Sequence, residues 1–240
     1  MVSFSVVIPT RDRPDFLREA VASLLNQTLL PAEIIVADDG EGASAAVRGM
    51  TPLIRVLNNE RRGPVAARLL GVRAASADCI AFLDDDDWLT EPGYFAAIAR
   101  HFDNGADFTH ADGAMVFSDG QPGIAYSFPA DARSLERDNT ILISAVAYRR
   151  SLHDRLGEFD TALPFYWDWD WYLRVARAGA RLHHHRQPVV AIRVHARNMS
   201  GATMEAERRA NLDRFAEKHG LPPLVLKNHL SLVREQPSGQ

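Results

Sequence analysis

The hydrophobic positions of the chain fall into short runs of alternating type. "FSVVIPT" (Phe4–Thr10) is continuous and β-branched, the pattern of a strand buried on both faces. "RDRPDFLREAVASLLNQ" then places Leu17, Ala20, Val21, Leu24 and Leu25 at helical spacing, with Pro14 suited to a first turn. "EIIVADDG" (Glu33–Gly40) predicts a second buried strand, ending in two aspartates and a glycine. "LIRVLNN" predicts a third strand, "GPVAARLLGVRAA" (Gly63–Ala75) a helix and "CIAFLDD" a fourth strand. "PGYFAAIARHF" reads as a helix and "DFTHADGAMVF" as a further strand. Apolar strands joined by helical crossovers predict an α/β domain with a mostly parallel sheet covered on both faces. Ligands of such sheets bind beyond the carboxyl ends of the strands. Thr10, the pair Asp38–Asp39 and the run Asp84–Asp87 all fall at that edge.

After Ser118 the pattern loosens. "SDGQPG" is rich in turn formers, and the segment to Asn139 reads as an irregular connection. "TILISAVAYRRS" is apolar again. "FYWDWDWYLRVARAG" begins with mixed aromatics and acids, becomes helical and stops at Gly179. "PVVAIRVH" (Pro188–His195) predicts a strand, and "TMEAERRANLDRFAEKHG" a long amphipathic helix ended by Gly220. The tail from Gln236 is expected to fray. Neither internal repeats nor low-complexity tracts interrupt this order.

Composition narrows the class. The chain has 240 residues, 46% hydrophobic and 24% charged, enough for one sizeable core and no sign of global disorder. A net charge of −4 leaves no electrostatic footprint for nucleic acid. The single cysteine, Cys79, lies in an apolar run and excludes a disulfide framework or a cysteine zinc cluster. Without an apolar run long enough to span a bilayer or a basic-started leader, the expectation is a cytoplasmic protein. Peripheral attachment to the inner face of a membrane stays open, because a modest amphipathic patch suffices for it.

The chemistry concentrates in "IAFLDDDDWLTEP" (Ile80–Pro92). Converging carboxylates are costly unless a cation neutralises them, and hard oxygen ligands suit Mg²⁺ or Mn²⁺ shared with phosphate. In an extended segment Asp84 and Asp86 would share a face. Asp39 can accept hydrogen bonds from a base or a ribose; alternatively it or Asp38 caps the helix after Gly40. Arg68 can pair with Asp39 or with phosphate, or lie exposed. Asp168 sits at a loop-to-helix junction among Phe165, Tyr166, Trp167, Trp169, Trp171 and Tyr172. Apolar surroundings raise a carboxylate's pKa and strengthen it as a general base. The rings either stack on sugars or fill the core, and Asp170 either caps the helix or stands as a second candidate base. His195 can ligate a metal through a neutral imidazole. His183, His184 and His185 alternate faces in an extended segment, so the three cannot easily converge and are read as surface and core residues.

Six stretches, in this order and spacing, carry a resemblance: "SVVIPTRDRPDFLREAVASLLNQT", "EIIVADDG", "GPVAARLLGVRAA", "IAFLDDDDWLTEP", "GEFDTALPFYWDWDWYLRVARAG" and "IRVHARNMSG". They run from Ser5 to Gly201, so the match extends over nearly all of a chain that resembles family 2 glycosyltransferases of the GT-A fold. The resemblance implies a single Rossmann-like domain over residues 1–220, with a nucleotide-sugar half (1–117), an acceptor half (118–200) and a C-terminal helical extension (203–240). It implies Pro9, Thr10, Arg11, Asp39, Arg68, Asp84 and Asp85 as contacts of the nucleotide sugar. It implies Asp86 and His195 as metal ligands, with Asp87 behind them, and Asp168 as the base. Trp167 departs from the glutamate usual before that base, and Leu69 from the asparagine often found after Arg68. The implied activity is metal-dependent (Mn²⁺ or Mg²⁺), inverting transfer of a sugar from a nucleoside-diphosphate sugar, a UDP-sugar by analogy. The acceptor would be a hydroxyl of a glycan, a lipid-linked or a small-molecule substrate.

Two rivals make different demands. A sugar-nucleotide nucleotidyltransferase needs a glycine-rich loop after the first strand, and "IPTRDRPDF" has no glycine. A non-catalytic nucleotide-sugar or glycan-binding module would be expected to lose the base or a metal aspartate, and both are present.

Overall fold

The computed structural model describes residues 1–117, 123–194 and 204–235. β1 (Phe4–Thr10) is buried along its whole length. Its alternate residues face opposite layers: Phe4, Val6 and Ile8 join one core and Val7 the other. α1 (Pro14–Leu25) begins on Pro14, whose fixed φ suits the first turn, and buries Leu17, Ala20, Val21 and Leu24. β2 (Glu33–Asp38) runs parallel to β1, with Ser5 opposite Glu33 and Thr10 opposite Asp38. After α2 (Ala43–Ala46), β3 (Ile54–Asn58) adds in parallel to β2. α3 (Pro64–Ala74) crosses back, and β4 (Cys79–Phe82) pairs in parallel with the other side of β1.

That jump from β3 to β4 reverses the direction of sheet growth. Between the carboxyl ends of β1 and β4 it leaves a crevice, the place where open α/β sheets bind ligands. The second half is mixed rather than parallel. β5 (Trp88–Leu89) and α4 (Tyr94–Asp103) lead to β6 (Phe108–Phe117). β7 (Ile124–Tyr126) and α5 (Ala132–Leu135) lie in the stretch whose pattern suggested an irregular connection. The three-residue strand and the four-residue helix, closed by a capping box between Asp131 and Ser134, are too short to show a period. β8 (Val146–Arg149) runs antiparallel between β4 and β6. α6 (Leu152–Leu156) and α7 (Trp167–Arg177) precede β9 (Leu182–Val194), which pairs in parallel with β6 through a β-bulge. The described strands form one nine-stranded sheet in the order β3-β2-β1-β4-β8-β6-β9-β5, with β7 beside β6.

β9 starts earlier than its apolar run and includes the three histidines. The alternation then holds. His183 stacks on His101 of α4 with ring centroids 3.7 Å apart, and His185 Nδ1 lies 3.3 Å from His101 Nε2. His184 faces the other way, 2.6 Å from Asp112.

One core layer lies under α1 and α4, the other under α3, α7 and α8 (Glu205–His219), where Phe215 packs. Gly220 ends α8 at φ 63°, the left-handed conformation that favours glycine. α9 (His229–Glu235) follows. The expected frayed tail lies outside the described residues. Cys79 is buried in the core, as its apolar surroundings suggested. Among the described residues no helix is long and apolar enough to cross a membrane.

Candidate active site

The crevice opens into a cleft of about 500 Å³, a size typical of small-ligand sites. Its floor is the acidic run. Asp87 N donates to Asp84 O at 3.1 Å, so the run is a turn and not the extended segment that alternation assumed. The turn brings Asp84 and Asp86 together and adds Asp87: each offers an oxygen within 4.8 Å of the others. Asp87 is buried, accepting from Ser144 Oγ at 2.5 Å and from the Arg193 amide at 3.0 Å. Asp85 accepts from Thr10 Oγ1 at 2.7 Å, which ties the end of β1 to the turn.

The guanidinium groups of Arg68 and Arg13 pair with these carboxylates. Arg68 is buried on α3, donates to Asp84 and to Pro64 O, and lies 5.0 Å over the Trp167 ring. It therefore pairs with Asp84, not with Asp39. Arg13 Nη1 reaches Asp86 at 2.7 Å and Asp85 at 3.2 Å. Sequence reading passed over Arg13. The signal was present in its place one residue before the helix-starting Pro14, where the chain turns back over the edge of the sheet. Asp12, beside it, makes that turn at φ 54°, a conformation aspartate tolerates better than most residues. Charge compensation is incomplete. Burial raises the pKa of Asp84 against the pull of Arg68 and lifts that of Asp85 to about 6. Burial, with Asp84 and Asp86 nearby, holds the Asp87 carboxyl well above its ordinary range.

One wall comes from the first half of the chain. Asp39 Oδ1 accepts from Asn59 Nδ2 at 2.5 Å and from the Gly63 amide at 3.0 Å. The capping alternative falls to its neighbour: Asp38 accepts from the amides of Gly40 and Ala43 at the start of α2. Pro9, Thr10, Arg11, Asp39 and Arg68 all line the cleft.

The facing wall is the start of α7. Asp168 lines the cleft, accepts from Asn139 Nδ2 at 3.0 Å and is raised in pKa by burial. Its aromatic neighbours divide. Phe165, Tyr166, Trp167 and Trp169 line the cleft, while Trp171 and Tyr172 are fully buried core. Asp170 lies on the opposite side of the helix, fully buried. Burial would raise its pKa, but hydrogen bonds from His219 and Lys218 and the charge of Arg174 bring it to about 2. It is a structural ion pair, outside the cleft. His195 lies outside the described residues.

The C-terminal elements complete the wall. Arg208 and Leu212 of α8, Val225 and Lys227 of the following segment, and His229 and Leu232 of α9 line the cleft. Periodicity marked α8 as amphipathic but could not say what its buried face covers.

A family model described as "Glycosyl transferase family 2" matches residues 5–156. An uncharacterized glycosyltransferase of Bacillus subtilis, YwdF, is 37% identical over 244 residues, covering 98% of this chain and 90% of that protein. A GalNAc(5)-diNAcBac-PP-undecaprenol beta-1,3-glucosyltransferase of Campylobacter jejuni is 29% identical over 149 residues, 59% of this chain and 46% of its own. Among solved structures, S. aureus TarS 1-349 in complex with UDP-GlcNAc superposes with a TM-score of 0.69 at 18% identity, over 90% of this chain and 66% of that one. A longer TarS structure gives 0.64, and the chain spans 43% of it. Likeness at this identity establishes the fold, which is the GT-A fold.

Proposed function

The chain belongs to glycosyl transferase family 2 and is a glycosyltransferase, and on that premise we propose which residues perform the transfer. The donor is a nucleoside-diphosphate sugar lying along the wall of Pro9, Thr10, Arg11, Asp39 and Arg68. TarS structures carrying UDP and UDP-GlcNAc support a UDP-sugar. Asp39 reads the nucleoside, and Asp84 and Asp85 flank it. Thr10 acts through Asp85, to which its hydroxyl is already bonded.

Asp84, Asp86 and Asp87 would hold a divalent cation. Three carboxylate oxygens within 4.8 Å of one another are a hard-ligand set that suits Mn²⁺ or Mg²⁺. Such an ion, when bound, supplies Lewis acidity toward a departing diphosphate. Asp168 takes the proton of the acceptor hydroxyl. The acceptor oxygen bonds to the anomeric carbon while the bond from that carbon to the diphosphate oxygen breaks. The nucleoside diphosphate leaves with the electron pair, and one displacement inverts the anomeric centre. The acceptor enters on the side walled by Phe165, Leu212, Val225 and Leu232. Those apolar residues, and the lipid-linked substrate in the name of the Campylobacter jejuni relative, support an acceptor hydroxyl on a glycan that bears an apolar group.

One observation carries this reading: Asp168, raised in pKa, faces the same cleft as the acidic turn. Asp168→Asn keeps the shape but cannot take a proton at neutral pH. Its transfer rate is expected to fall by about 10²–10⁴ with UDP affinity unchanged. The acidic limb of the wild-type pH–rate profile should lie above the ordinary carboxylate range, because activity is lost as Asp168 protonates. Transfer at the wild-type rate by Asp168→Asn would remove Asp168 from the mechanism. Binding of UDP-sugars without transfer by the wild type would favour the non-catalytic alternative.

A further inference from the structure

Arg13 and Arg68 both neutralise the acidic turn, but they are held differently. Arg68 is buried, bonded to a backbone carbonyl and lies over the Trp167 ring, so its position is fixed by contacts beyond the carboxylates. The Arg13 side chain is 32% exposed. Both of its hydrogen bonds leave from one nitrogen, Nη1, to Asp85 and to Asp86. A guanidinium is held most firmly through two parallel bonds to one carboxylate, an arrangement Arg13 does not make. It is carried by the cap position of α1 and lines the cleft.

We infer that Arg13 is the exchangeable counter-ion of the acidic turn: a divalent cation must displace it from Asp86, and the freed guanidinium then meets the donor diphosphate. The inference rests on the metal reading above. Arg13 Nη1 lies 2.7 Å from Asp86, so a divalent cation on that carboxylate repels it, whereas Arg68 is anchored by Pro64 and Trp167 and keeps its place beside Asp84. The ion alone therefore binds weakly. With a diphosphate present, Arg13 has a second anion to neutralise, and displacing it costs less. Metal and nucleotide thus favour each other, and by linkage each tightens the other by the same factor. Arg13 is in this sense a positioning residue for the charge on the diphosphate.

The test measures Mn²⁺ binding through the electron paramagnetic resonance signal of the free ion, with and without UDP. The proteins are the wild type, Arg13→Gln and Arg13→Lys, each checked for cooperative thermal unfolding. Arg13→Gln should bind Mn²⁺ alone about tenfold or more tighter than wild type, since a charge within a few ångströms has been removed. The gain in Mn²⁺ affinity on adding UDP should shrink in the same variant. Arg13→Lys, which keeps the charge, should stay near the wild type. Unchanged or weaker Mn²⁺ binding by Arg13→Gln would overturn the exchange, as would Arg13→Lys behaving like Arg13→Gln. Mn²⁺ binding to none of the three, with or without UDP, would overturn the metal reading itself and this inference with it.

Discussion

Asp168 and Asp170 are two residues apart on one helix, and their environments push them in opposite directions. Positions i and i+2 lie on opposite sides of a helix. One carboxyl meets the cleft and accepts from the Asn139 side-chain amide; the other is buried among Arg174, Lys218 and His219. Pairs of carboxylates separated in this way commonly divide into a reactive and a structural group. Asp170→Asn would leave Arg174, Lys218 and His219 without their shared carboxylate acceptor. It should lower the unfolding free energy by about 1–3 kcal/mol, measured by urea denaturation, because the remaining cations reach solvent. The same group sets a pH dependence. Its folded pKa of about 2 lies below the ordinary 3.8, so its stabilisation is complete above pH 3.8 and is lost as pH falls toward 2. By linkage that contribution is roughly 2–3 kcal/mol. Asp170→Asn of wild-type stability would show that the cluster contributes nothing net.

At the scale of elements, long periodic segments were legible and short ones were not. β1, α1, β2, α3, α4 and α8 lie where their hydrophobic patterns put them. β5, β7, α2, α5 and α6 have two to five residues each and carry no period that a sequence can display. The acidic floor of the cleft was legible because four aspartates interrupt a buried strand. Its geometry was not, because a turn, rather than the pleat, joins Asp84 to Asp86 and Asp87. The C-terminal wall was missed because nothing in local spacing reports which distant element a side chain meets; for Arg13 the place just before Pro14 was visible but not the carboxylates it meets. Gly71 is another case. It sits inside α3, where its lack of a side chain looks like a weakness. A Cβ there would lie 2.3 Å from Val7 Cγ1 of β1. The glycine thus sets how closely α3, which carries Arg68, approaches the sheet. Gly71→Ala should lose about 1–3 kcal/mol of stability from overpacking, despite a gain of up to about 1 kcal/mol in helix propensity. A thermal midpoint at or above that of wild type would mean that the helix can retreat freely.

Taken whole, the molecule buries two opposed sets of titratable groups. At the cleft, carboxyls such as Asp85, lifted by burial to about 6, bind protons more readily folded than unfolded. They gain stability as pH falls through 6 toward 3.8. Away from the acidic turn, buried imidazoles act in the other sense. Burial lowers His110 to about 3, with nearby His184 and His183 adding to the effect, and lowers His229 to about 4. His110 is 2% exposed, stacked on His184 at 4.5 Å, and its Nε2 has no hydrogen-bond partner among the described residues. Such a group stays neutral in the folded protein and charges only in the unfolded one. Its cost therefore begins as pH drops below about 6.5, the unfolded value, and grows by about 1.4 kcal/mol per pH unit. Because the cleft carboxyls offset it, the stability of the wild type alone does not isolate the histidine. The difference from His110→Phe does, since that ring fills a similar volume and cannot charge. In urea titrations at pH 7, 6 and 5, the variant should gain on the wild type by about 1.4 kcal/mol per unit below pH 6.5. A difference that stays constant across that range would mean that His110 is protonated in the folded protein and that its burial is relieved on charging.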